Sequence, residues 1–119
     1  MSTDSFIYVA DAAAVPPGAT APFQVSGRDI LICHAKGEFF AVANQCSHAL
    51  AKLEDGKLRA YRLICPLHGA AFDIRDGTAK GKPAILPIRT YPVRVIDDRI
   101  EIRIEPDRVR KPGPGSAEG

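Results

Sequence analysis

The stretch Tyr91-Pro92-Val93-Arg94-Val95-Ile96, Asp97-Asp98, Arg99-Ile100-Glu101-Ile102-Arg103-Ile104 is the most regular part of the chain. In its second arm isoleucine and charged residues alternate with period 2, as in a half-buried antiparallel strand. Two aspartates between two such arms form a hairpin turn, and they are read as that rather than as a catalytic carboxylate pair.

Upstream the same signals recur at short intervals. Residues 6–10 read as a first strand, and 11–21, with Pro16-Pro17-Gly18, as a turn-rich connection. Residues 29–34, containing Ile30-Leu31-Ile32, read as a strand. Gly37-Glu38 then turns the chain into a partner strand at 39–43. Residues 44–52 show no period, and Glu54-Asp55-Gly56-Lys57 reads as a turn. Short strands follow at 61–64 and 71–74, the second closed by Arg75-Asp76-Gly77, and 81–87 is a proline-broken loop. No helical period is sustained, so the pattern is that of an all-β sandwich or barrel. Residues 106–119, with Lys111-Pro112-Gly113-Pro114-Gly115-Ser116, read as a flexible C-terminal tail.

At 119 residues the chain is long enough for one domain with a modest core. Apolar residues make up 45% and charged residues 25%, an ordinary globular balance. A formal net charge of +2 is too small to imply nucleic-acid binding. Met1-Ser2-Thr3-Asp4-Ser5 has no basic segment followed by an apolar one. No apolar run approaches the roughly 20 residues that span a bilayer. A cytoplasmic protein without membrane contact is therefore the default. Three cysteines argue against a disulfide framework, and in a reducing compartment a Cys/His pattern is more often a metal site.

Four of the six cysteines and histidines fall into two clusters, Cys46-Ser47-His48 and Cys65-Pro66-Leu67-His68, with sixteen residues between His48 and Cys65. Together they offer two thiolates and two imidazoles. Zinc takes such a set too, although the usual C-x₂₋₄-C pairing is missing. Of the others, Cys33 reads as a small buried hydrophobe, His34 as a surface strand residue, and Phe39 and Phe40 as core. Arg108, Arg110 and Lys111 read as a solvated tail.

The two clusters resemble the Rieske family, whose motif is C-x-H, then roughly 15 to 17 residues, then C-x-x-H around a [2Fe–2S] cluster. Gly69 after the second histidine, the segment Gly81-Lys82-Pro83 and the closing hairpin share the resemblance. It implies a Rieske-like antiparallel β-sandwich or barrel over residues 1–105. A small cluster-binding subdomain would consist of loops at about 44–52 and 65–72, with a proline loop at about 81–87. It also implies that Cys46 and Cys65 hold an inner iron, while His48 and His68 hold an outer one and face solvent or a partner. Thiolates favour ferric iron and neutral imidazoles ferrous iron, so this split localises the redox change and raises the potential above all-cysteine clusters.

Departures from the family's high-potential members narrow the expectation. Those proteins resemble this one but add a disulfide between the loops, where Ala51 and Leu67 stand here. They also add a serine and a tyrosine hydroxyl, where Ala70 and Phe72 stand. Losing both donors implies a potential near the low end, about −150 mV. The resemblance thus implies a ferredoxin of a ring-hydroxylating dioxygenase system, and a monomer is the default for a carrier that must shuttle between two partners. It would carry single electrons from a flavoprotein ferredoxin reductase to a terminal Rieske oxygenase in aromatic-compound degradation. Two alternatives stand beside it. The Rieske domain of the oxygenase itself would need two further histidines and a carboxylate for mononuclear iron, and only His34 is left. A small subunit of an assimilatory nitrite reductase shares the fold and sometimes lacks the ligands. The chain has no G-x-G-x-x-G or P-loop, so no nicotinamide site and no catalytic residue is expected.

Overall fold

The computed structural model describes residues 6–46, 51–66, 70–81 and 86–104. Its strands are β1 (Ile7–Asp11), β2 (Thr20–Val25), β3 (Arg28–Ala35), β4 (Glu38–Ala43), β5 (Lys57–Arg59) and β6 (Arg62–Ile64). They continue as β7 (Ala71–Asp73), β8 (Ala79–Gly81), β9 (Thr90–Tyr91), β10 (Val93–Ile96) and β11 (Arg99–Ile102). Single 3₁₀ turns occupy Ala12–Ala14 and Leu53–Asp55. The expected all-β architecture is present, and among the described residues no helix is long and apolar enough to cross a membrane.

Among the described residues all strand pairs are antiparallel and form three sheets, in the orders β1-β11-β10, β2-β3-β4-β9 and β5-β6-β7-β8. The β3–β4 hairpin is the middle layer. One face of β3 places Ile30 and Ile32 with Ile100 and Ile102 of β11. The other places Leu31, Cys33 and Ala35 with Leu63 and Phe72 of β6 and β7. This explains why residues 30–33 read as an unbroken apolar run instead of an alternation: both faces are covered. Phe39 and Phe40 follow the same rule, each half-buried against the opposite core.

Several boundaries differ from expectation. Residues 20–25 form β2, whose first two residues fall in the stretch 11–21 that the sequence pattern predicts as a connection. β2 is the edge of its sheet, where a residue without an N–H is tolerated, and Pro22 stands opposite Leu31. The first turn of the central hairpin is Lys36-Gly37, and Glu38 already belongs to β4. The turn at 54–57 is a 3₁₀ turn leading into a short strand, β5. The first arm of the closing hairpin is divided at Pro92: Tyr91 pairs with Ala41 in the central sheet, while Val93 starts β10 in another. Ala79–Gly81 forms a strand where Gly81 was read as loop. The tail at 106–119 lies outside the described residues.

Candidate metal centre

The two cysteines stand at matching points of two loops. The chain leaves β4, passes Asn44 and Gln45 and reaches Cys46. It leaves β6 and reaches Cys65 at once. The Cys46 N–H donates to the carbonyl of Ala51 at 2.9 Å, and the Cys65 N–H to that of Ala70 at 2.6 Å. Each loop is therefore pinched at its base, with four residues between cysteine and acceptor. Both cysteine side chains are turned inward, 3% and 1% exposed, in one core with Leu53, Leu63, Ala70 and Phe72.

None of the three cysteines is in a disulfide among the described residues. Cys33, fully buried on β3, shows what this interior does to an unsupported thiol: desolvation pushes its pKa up to about 12. Two buried thiols from adjacent loops fit the soft donor set of an iron–sulfur group. His48 and His68 lie outside the described residues, as do Leu67, Gly69 and Pro83. Thus the fold gathers Cys46 and Cys65, and the histidine half of the set rests on the motif.

Side groups that sequence patterning did not single out brace the loops. Asn44 is 2% exposed. Its Nδ2 donates to Asp29 Oδ1 at 3.1 Å and to Glu54 Oε1 at 2.6 Å, and its Oδ1 accepts from the Glu54 N–H at 2.9 Å. Asp29 also meets Lys52 Nζ at 2.8 Å, which holds its carboxyl below the usual range. Beyond the second loop, Asp73 accepts from the Arg75 N–H, Nε and Nη2 at 2.9, 3.0 and 2.7 Å. That guanidinium holds Asp73 down to about 2 and also covers the Tyr61 ring at 4.1 Å. Gly56 lies so close to β6 that a Cβ there would collide with the carbonyl of Ile64, the residue before Cys65. None of these has a periodic signature, which is why only the folded chain reveals them.

Other expectations can be placed. Ala70 and Phe72 are fully buried and bring no hydroxyl to the core around the cysteines. Ala51 packs at the edge of that core. His34 is half-buried rather than on the surface: its Nδ1 is 2.8 Å from the carbonyl oxygen of Val15, and its ring stacks on Phe39 at 4.1 Å.

Residues 5–92 match the Rieske [2Fe-2S] domain. The chain is 33% identical over 103 residues to the ferredoxin component of the naphthalene 1,2-dioxygenase/salicylate 5-hydroxylase systems of a Ralstonia species, over 87% of this chain and 99% of that one. It is 39% identical over 89 residues to the ferredoxin component of biphenyl 2,3-dioxygenase from Rhodococcus jostii, over 75% and 83%. Among solved structures, the ferredoxin of carbazole 1,9a-dioxygenase from Nocardioides aromaticivorans superposes with a TM-score of 0.80 at 32% identity, over 84% of this chain and 98% of that one.

Proposed function

The chain belongs to the Rieske [2Fe–2S] domain family, and on that footing we propose that it is the ferredoxin component of a multicomponent aromatic-ring dioxygenase system. It passes single electrons from a flavin-dependent NAD(P)H reductase to a terminal ring-hydroxylating oxygenase and transforms no substrate itself. The observation that carries this is the span of the likeness: the chain covers 99% of one ferredoxin component and 98% of another in structure. The cytoplasm, where such a reductase meets its nicotinamide, is the compartment that fits, and a monomer suits a carrier that shuttles.

Cys46, Cys65, His48 and His68 would hold the [2Fe–2S] group, two thiolates and two imidazoles in all. The bound [2Fe–2S] group supplies a one-electron couple. The chain's own part is to bury the cysteine side under Leu53, Leu63 and Phe72 and to fix each cysteine backbone through its N–H. Without hydroxyls at Ala70 and Phe72 the reduced state loses two stabilising donors, so the potential sits near the low end of the Rieske range, about −150 mV. A carrier that serves both partners through one docking surface cannot hold them at once, so reductase and oxygenase are expected to compete for it.

The test is anaerobic purification followed by iron and acid-labile sulfide counts and an EPR spectrum of the dithionite-reduced protein. Two irons per chain, a rhombic signal of low average g and a potential near the stated value are expected. A colourless protein holding one zinc sinks the proposal.

A further inference from the structure

We infer that Asn44 is a positioning residue for the first cluster loop, holding Cys46 in place through a buried amide that joins the loop's two feet. This rests on the proposal that Cys46 is a cluster ligand.

The two loops are held in different ways. Cys65 is fixed by a sheet: β6 pairs with β7 as Leu63 with Phe72 and Ile64 with Ala71, and Cys65 follows directly. Cys46 has no such ladder. β4 has ended at Ala43, and the returning chain enters a 3₁₀ turn rather than a strand. Among the described residues, the backbone bond between the two feet of that loop is the one from the Cys46 N–H to the Ala51 carbonyl. Asn44 supplies the rest. It stands two residues before Cys46, and Glu54 stands three after Ala51. The two bonds between Asn44 and Glu54 therefore close a second rung just outside the first. Two more, from the Asn44 N–H to the Asp29 carbonyl at 3.0 Å and from Nδ2 to the Asp29 carboxylate, anchor that rung to the start of β3.

The environment demands an amide. Both Nδ2 hydrogens face carboxylates and Oδ1 faces an N–H, which also settles the amide orientation. An aspartate here would bring a third carboxylate against two. An apolar side chain would leave the Glu54 N–H without its acceptor and take one donor from each of the Asp29 and Glu54 carboxylates, and a backbone N–H left without a partner is expensive. Groups that orient a metal ligand in this way typically change metal affinity 10- to 100-fold when removed.

The cluster-loaded protein tests this with four variants. Asn44→Ala removes both bonds of the rung, and Glu54→Ala removes the one to the carboxylate while the Glu54 N–H still donates to Asn44 Oδ1. Glu54→Gln keeps an acceptor oxygen. Ile100→Val trims the other core and touches none of these groups. Iron release to a chelator, the EPR g-values of the reduced state and the thermal midpoint are read together. Asn44→Ala is expected to release iron about tenfold faster with shifted g-values, Glu54→Ala to change both in the same direction by a smaller factor, Glu54→Gln to behave as the unmodified chain, and Ile100→Val to lower the midpoint alone. Glu54 is exposed, so its variants fold even where Asn44→Ala does not. Unaltered g-values and release rates in Glu54→Ala, or the same changes in Ile100→Val, overturn the inference while leaving the cluster in place. An unmodified chain that holds no iron and sulfide overturns the cluster proposal and this inference together.

Discussion

Cys33 and Cys46 are side chains of the same type in the same core, yet their surroundings ask different things of them. Cys33 sits mid-strand on β3 among apolar neighbours, with its thiol held neutral by desolvation. It behaves as a small hydrophobe, the reading its place in an apolar run suggested. Cys33→Ala is expected to keep two irons per chain and to lower the unfolding free energy by about 1 kcal/mol through lost packing. Cys46→Ala and Cys65→Ala are expected to abolish iron binding, and iron analysis beside urea denaturation checks all three. Asp73 shows what the sequence could not convey. It was read as part of a strand, and the fold makes it a buried carboxylate gripped by Arg75. Its folded pKa lies below its unfolded one, so its contribution to stability is complete above about pH 4 and is lost as pH falls toward about 2. Because the Arg75 side chain is 55% exposed, water screens the pair and the contribution is about 1–2 kcal/mol. The stability gap between the unmodified chain and Asp73→Asn, measured by denaturant titration from pH 6 to pH 2, is expected to close over that window. A gap that stays constant counts against the ion pair.

Three two-residue turns show how the elements are joined. Ser26-Gly27, Lys36-Gly37 and Asp97-Asp98 all have positive φ at both positions, the geometry that matches the right-handed twist of a hairpin. In the first two, glycine takes the second position without strain. In the third, Asp98 stands at φ 64°, where a side chain meets the following carbonyl at a cost of about 1–2 kcal/mol. Asp98→Gly is therefore expected to raise the stability by about 0.5–1 kcal/mol, after allowing for glycine's greater unfolded freedom, with no change in the EPR spectrum. A lower thermal midpoint would show that the Asp98 side chain does more than close the turn. The hairpin was legible because alternation and turn chemistry are local. Among the strands overlooked, β2 and β5 have residues set by position in a sheet: one is an edge that accepts proline, the other a short segment entered through Gly56, whose missing Cβ lets it approach Ile64.

At the scale of the molecule, charge and layering are unevenly shared. Among residues 51–66 and 70–81, which carry the outer sheet beside the cysteines, six basic side chains accompany four acidic ones, while 6–46 and 86–104 hold six of each. On that sheet Arg59 and Arg62 stand directly opposite one another, both exposed. Oxidation of the reduced protein by ferricyanide, an anion, is thus expected to slow as ionic strength rises and the Debye length shrinks below about 10 Å. The double variant Arg59→Glu, Arg62→Glu is expected to flatten or reverse that trend in stopped-flow measurements. An unchanged salt dependence would mean that electrons leave far from this face. By itself the sequence determined the β class, the closing hairpin and the two Cys/His clusters, because alternation, turn residues and short ligand spacings are properties of neighbouring residues. Only the tertiary structure decided that β3 and β4 form a middle layer buried on both faces. It alone brought Cys46 and Cys65 into one core and set a lone buried amide to brace the loop that no sheet holds. Those outcomes depend on residues distant in the chain meeting in space, and neither periodicity nor spacing encodes such meetings.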